Sequence, residues 1–115
     1  IWAYAQLSEV KKNIAMTNFP SEQVHYHVGK VEETISNPPL HDQIALLRLD
    51  TDWYSSTKHE LECLYDRIVE NGILIIDDYG HWNGCRRAVD EFFESKGMRP
   101  FFVPIDYTGV IWQKR

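Results

Sequence analysis

The sequence predicts an α/β fold with a mostly parallel sheet that finishes in an antiparallel hairpin, and three observations carry that expectation. Two short apolar runs, Ile44–Leu49 and Ile73–Ile76, are broken only by Arg48 and do not alternate with polar residues, as strands covered on both faces do not. Between them Thr57 and Glu60 stand at capping-box spacing, Leu61, Leu64, Tyr65 and Ile68 recur at helical spacing, and Asn71-Gly72 reads as a helix stop. Near the end, Phe101–Pro104 and Gly109–Trp112 are joined by only Ile105-Asp106-Tyr107-Thr108, too short for a parallel crossover.

The remaining elements follow in order. Leu7, Val10 and Ile14 mark an amphipathic helix from Leu7 to Ala15, ended by Asn18-Phe19-Pro20-Ser21. Val24, Tyr26 and Val28 alternate with His25 and His27, which predicts a short strand closed by Gly29. The two histidines could chelate a metal, but no third ligand is apparent nearby, and a polar outer strand face is the plainer reading. Lys30 to Ser36 reads as a short helical segment stopped by Asn37-Pro38-Pro39. After the second apolar run comes a loop from Tyr79 to Gly84, with Asn83 as the expected N-cap. A helix then buries Cys85, Ala88, Val89, Phe92 and Phe93, pairs Arg86 with Asp90, and stops at Lys96-Gly97.

Composition limits the function classes. The 115 residues are 43% hydrophobic and 25% charged, ordinary for one globular domain or part of one. Twelve Lys and Arg against 17 Asp and Glu give a net charge of −5, with no basic block to follow a phosphate backbone, so no nucleic-acid partner is expected. No apolar stretch reaches the ~20 residues that cross a bilayer, and no membrane partner is expected. Cys63 and Cys85 fall in predicted helices without metal or redox spacing, which suggests reduced thiols in a cytoplasmic protein. The chain starts at Ile1 rather than Met, so an excised piece of a longer chain is one expectation.

Each apolar run ends in acid: Asp50-Thr51-Asp52 after the first and Asp77-Asp78-Tyr79 after the second. A right-handed crossover lays the two strands side by side and parallel, so both acidic ends emerge at the ligand-binding edge of the sheet. Four carboxylates crowded there repel one another unless a cation lies between them, and oxygen ligands suit a hard divalent ion such as Mg²⁺. Acids that merely cap helices or face water are the plainer alternative.

The stretch Leu47-Arg48-Leu49-Asp50-Thr51-Asp52-Trp53-Tyr54-Ser55-Ser56-Thr57 resembles the macrocin O-methyltransferase family. So do Gly72-Ile73-Leu74-Ile75-Ile76-Asp77-Asp78-Tyr79 and the run from Trp82 to Phe92. The resemblance extends over Val24 to Trp112 and implies the C-terminal portion of a Rossmann-like class I methyltransferase sheet, with the first two strands absent. It implies Mg²⁺ and S-adenosylmethionine as cofactors and methyl transfer to a sugar or other small-molecule hydroxyl, the acceptor offering vicinal oxygens. By the same resemblance Asp50, Asp77 and Asp78 hold the metal, and Asp50 is also the candidate base. Tyr54, Tyr79, His81 and Trp82 would line the acceptor pocket, with loop packing as the alternative for the aromatics.

The sequence departs from the family where the cofactor is held. Its six glycines form no GxG turn, so Gly29 and Asp50 are the residues left to touch the cofactor. Without the first two strands an inner sheet edge is bare, which implies either that Val24–Val28 pairs with Ile44–Leu49 or that two chains join along such edges. Two other classes stay open. One is a haloacid-dehalogenase-like Mg²⁺ phosphatase, which also carries Asp-x-Asp after a strand but expects small residues where Trp53 and Tyr54 stand. The other is a non-catalytic remnant that binds metal or a partner.

Overall fold

In the computed structural model, residues 5–35 and 43–115 are described, and the chain divides into two compact units at Lys30/Val31. The first unit carries helix α1, Leu7–Ala15, as expected, with Val10 and Ile14 half-buried. Its end is set by Asn18, whose φ of 61° turns the backbone left-handed while the Thr17 hydroxyl donates to the Ile14 carbonyl. A 3-10 turn, Ser21–Gln23, follows.

The strand expected at Val24–Val28 does not form. Val24 is extended, and Val24 and Tyr26 are half-buried as their alternation implied, with Lys11 lying over the Tyr26 ring. A strand, however, needs a ladder partner for its N–H and C=O groups, and among the described residues this segment has none. His25 and His27 are exposed, and Gly29 sits at a bend with φ 139°.

The second unit opens with α2, Val31–Thr34, inside the expected Lys30 to Ser36 segment; the Asn37-Pro38-Pro39 stop lies outside the described residues. The sheet is built from β1, Ile44–Leu49; β2, Ile68–Ile76; β3, Val103–Pro104; and β4, Val110–Gln113, in the order β1-β2-β4-β3. β1 and β2 are parallel, while β2–β4 and β3–β4 are antiparallel, so the predicted parallel pair and terminal hairpin are both present. Helices α3, Tyr54–Leu64, and α4, Asn83–Ser95, pack on each other and bury Leu61, Cys85, Ala88, Val89 and Phe93 together with Leu49, Leu74 and Ile76 of the sheet. Leu61, Leu74, Ile76 and Val89 are at most 1% exposed, which makes this the core. No described helix is long and apolar enough to cross a membrane.

Three local expectations are corrected here. Helix α3 begins at Tyr54, so Thr57 and Glu60 lie within it rather than at its cap; their spacing instead puts both on one face, toward Thr51. Asn71-Gly72 does not stop that helix, which ends at Leu64 and passes through a 3-10 turn into β2, taking Tyr65 and Ile68 with it as buried residues of turn and strand. Asn71 supplies the left-handed backbone that the sequence implied, φ 66°, but inside β2, where the register with β1 slips. There its N–H donates to the Lys114 carbonyl at 2.7 Å. Gly72 is required at that slip, because a Cβ would lie 2.6 Å from Ile68 Cγ2. Finally, α4 is preceded by Trp82, and Asn83 is its first residue, not its cap. Its expected stop holds: Gly97 at φ 68° lets the Met98 N–H reach the Phe93 carbonyl and its own N–H reach Glu94.

Candidate metal and acceptor edge

The parallel pairing of β1 with β2 sets the site. The register Leu49↔Ile76 continues through the Asp77 N–H, which donates to the Leu49 carbonyl at 2.9 Å, so Asp50 and Asp77 leave the sheet side by side. One carboxylate oxygen from each of Asp50, Asp77 and Asp78 lies within 4.8 Å of the others. Among the described residues this is the one group of three or more side chains that could share a metal ion. Such spacing suits oxygen ligands converging on one ion.

The electrostatics at this edge are unbalanced. Asp78 Oδ2 is buried with no hydrogen-bond partner among the described residues. Burial, then the negative charges of Asp52 and Asp50, push the Asp78 carboxyl up from its ordinary 3.8 to about 7. Asp52 thus acts on the site through Asp78, although it is not one of the three that converge. Orphaned acceptors facing like charges are what a divalent cation satisfies, and the donor set fits Mg²⁺.

Arg48 is the residue that sequence reasoning passed over. Its Nη1 lies 3.2 Å from Asp50 Oδ2 and its Nη2 3.2 Å from Asp77 Oδ2, so a single guanidinium bridges the two strand ends. The signal was present: it is the one charge within an apolar run, two residues before Asp50 and therefore on the same side of the strand.

Directly beside this edge lies a second polar cluster. The Thr51 hydroxyl donates to Glu60 Oε1, and Thr57 Oγ1 lies 3.2 Å from both the hydroxyl and the carbonyl oxygen of Thr51. Thr57 is 0% and Glu60 6% exposed, and burial raises the Glu60 carboxyl while the bond from Thr51 works against that rise.

The four candidate acceptor residues do not share one pocket. Tyr54, the first residue of α3, donates its hydroxyl to Glu91 and lies under the Arg87 guanidinium, in a groove between α3 and α4. Tyr79 donates to Asp90 at 2.7 Å, stacks under Arg86 and lines a separate cavity with Phe93 and Phe102. His81 and Trp82 stay together, their rings 4.7 Å apart, in the turn whose N–H groups donate to the Asp78 carbonyl. Trp82 also faces Trp53 at 5.9 Å, and Trp53 is 66% exposed, an aromatic surface that the sequence reading did not single out. Gly29 belongs to the first unit.

Comparison with known proteins gives the chain its family and fold. Residues 4–114 match the family described as Macrocin-O-methyltransferase (TylF). The chain is 35% identical over 106 residues to the demethyldecarbamoylnovobiocin O-methyltransferase of Streptomyces niveus, covering 92% of this chain and 40% of that protein. It is 33% identical over 108 residues to the mycinamicin III 3''-O-methyltransferase of Micromonospora griseorubida, covering 94% of this chain and 42% of that one. The solved structure of the O-methyltransferase NovP superposes with a TM-score of 0.87 at 33% identity, over 96% of this chain and 45% of that chain. The apo structure of the methyltransferase CalS11, at 24% identity and a TM-score of 0.58 over 74% of this chain and 39% of that chain, shows the fold alone. The chain therefore spans less than half the length of these relatives, as the C-terminal portion of a Rossmann-like class I methyltransferase sheet. By matched residues and by fold, it belongs to the macrocin O-methyltransferase family.

Proposed function

We propose that this chain is the metal- and acceptor-holding part of an O-methyltransferase that moves a methyl group from S-adenosylmethionine to a hydroxyl of a sugar or other small molecule bearing vicinal oxygens. The observation that carries this reading is the convergence of Asp50, Asp77 and Asp78 at the end of the parallel pair. In the transfer, the acceptor oxygen bonds to the methyl carbon, the carbon–sulfur bond breaks, the sulfonium becomes a thioether, and the hydroxyl proton leaves. Asp50 suits the base: its carboxylate stands at the end of β1 among the converging oxygens, with half of its side chain exposed. Asp77 and Asp78, with Asp50, would hold Mg²⁺, which when bound acidifies the hydroxyl. The Trp53–Trp82 pair with His81 offers the apolar face against which a sugar ring is oriented. With their hydroxyls held by α4, Tyr54 and Tyr79 serve by shaping the flanks of the edge.

The chain's share in the methyl donor is small. It has no GxG turn, and within the second unit the Asp50 edge would be its contribution. Because β1 is an edge strand among the described residues, with Leu46 57% exposed, we also propose that this edge joins a second chain. Sedimentation that gives a monomer at all accessible concentrations would overturn that part. The phosphatase alternative draws no support from the relatives, which are O-methyltransferases.

Calorimetric titration with S-adenosylmethionine, with and without Mg²⁺, tests the reading beside an Asp77→Asn, Asp78→Asn double variant. Mg²⁺ binding that the double variant loses supports the metal edge, and accompanying cofactor binding supports transfer by the assembled chain. Metal binding without cofactor marks a part that needs the rest of the fold. No Mg²⁺ binding by the parent chain overturns the proposal.

A further inference from the structure

We propose that Arg48 is the built-in counter-cation of the Asp50–Asp77 pair and sets how tightly this edge takes a divalent ion by competing with it. This rests on the metal reading above. The guanidinium places one nitrogen on each of two carboxylates, 3.2 Å from Asp50 Oδ2 and 3.2 Å from Asp77 Oδ2. It therefore neutralises two of the three converging acids and leaves the third, with its orphaned Oδ2, dependent on a cation.

Two roles are compatible with such a bridge, and the geometry separates them. Arg48 could act as a strut that fixes the spacing of Asp50 and Asp77. That spacing, however, is already fixed by the backbone, because the ladder between β1 and β2 runs on into the Asp77 N–H to Leu49 carbonyl bond. What the side chain adds is charge. A fixed positive group in contact with two ligands opposes an incoming divalent ion through simple Coulomb repulsion, softened because the arginine side chain is 50% exposed. Arg48 is then a positioning and tuning residue: it keeps the acids paired when no ion is bound and weakens ion binding, so that the edge exchanges its metal instead of trapping it.

The test uses Mn²⁺ as the probe, with free ion followed by electron paramagnetic resonance, on the parent chain and on Arg48→Gln and Arg48→Lys. Expected at low ionic strength is roughly tenfold tighter Mn²⁺ binding by Arg48→Gln, a gap that narrows as KCl is added. Arg48→Lys, which keeps the charge without the fork, is expected to stay within about twofold of the parent. In the absence of metal, Arg48→Gln is expected to melt below the parent, so that losing one residue lowers apo stability while raising ion affinity. A merely structural role would lower both. Equal or weaker Mn²⁺ binding by Arg48→Gln overturns the inference, as does a lysine variant that behaves like the glutamine one. Mn²⁺ binding by the parent without the glutamine gain removes this inference alone, whereas no binding by any variant removes it together with the metal reading. Should Arg48→Gln fail to melt cooperatively, Arg48→Met carries the same comparison.

Discussion

Asp50 and Thr51 are adjacent in sequence, yet they belong to two polar clusters with opposite chemistry. The Thr51–Thr57–Glu60 cluster is closed: Thr57 and Glu60 are buried, the two hydroxyls meet partners within the cluster, and Glu60 Oε1 has the Thr51 hydroxyl as donor. The Asp50–Asp77–Asp78 cluster is open: Arg48 covers two of its acids, and Asp78 Oδ2 is buried without a hydrogen-bond partner among the described residues. A polar group that is satisfied from within holds structure, while one left unsatisfied beside like charges holds a place for something else. The two clusters share a strand end, so the closed one fixes the backbone from which the open one projects.

Substitutions can break this contrast, beginning with the largest effect. Asp78→Asn is expected to weaken Mg²⁺ binding by about a hundredfold or more, read by calorimetry, because it removes a converging oxygen charge. The same change is expected to raise apo thermal stability above neutral pH. Asp78 titrates near 7 in the fold but at its ordinary 3.8 when unfolded, so its ionised form is a net cost to the fold at alkaline pH.

Thr51→Val strikes the closed cluster instead. It strips the donor from Glu60 and a partner from Thr57, and is expected to cost about 2 kcal/mol in chemical denaturation. Metal affinity should fall only as far as the backbone of Asp50 loosens; a loss of affinity as large as that of Asp78→Asn would erase the distinction between the clusters.

Glu60→Gln sharpens it. The amide keeps an acceptor for Thr51 and removes a desolvated charge, with an expected gain of about 1 kcal/mol at neutral pH. Since the folded carboxyl titrates above its ordinary 4.5, variant and parent should be equally stable below that value and diverge as pH rises through it. Urea midpoints across that range measure the divergence. Gly97→Ala, away from both clusters, is the control. Its φ of 68° with open space around it predicts a loss of about 1 kcal/mol and unchanged metal binding.

Much of this was legible because it depends on short-range pattern. Apolar runs ending in acid gave the parallel pair and its acidic edge, helical spacing gave the buried face of α4, and Gly97 gave its stop. Residue chemistry was sometimes read correctly and placed wrongly. Asn71 does turn left-handed, but within β2, and Thr57 with Glu60 does form hydrogen bonds at three-residue spacing, but to Thr51 rather than to a helix cap. Alternation at 24–28 likewise gave half-buried Val24 and Tyr26, but an exposed Val28 and no ladder among the described residues.

The sequence by itself thus determined which residues could become strand, helix and acid edge, because backbone preference and side-chain periodicity act over a few neighbours. The resemblance to the family picked out Asp50, Asp77 and Asp78; only the tertiary structure decided that Arg48 bridges two of them and that Asp78 Oδ2, among the described residues, is buried without a hydrogen-bond partner. Those outcomes depend on the register between strands that a whole helix separates, and a register is fixed by packing in three dimensions rather than by any local signal.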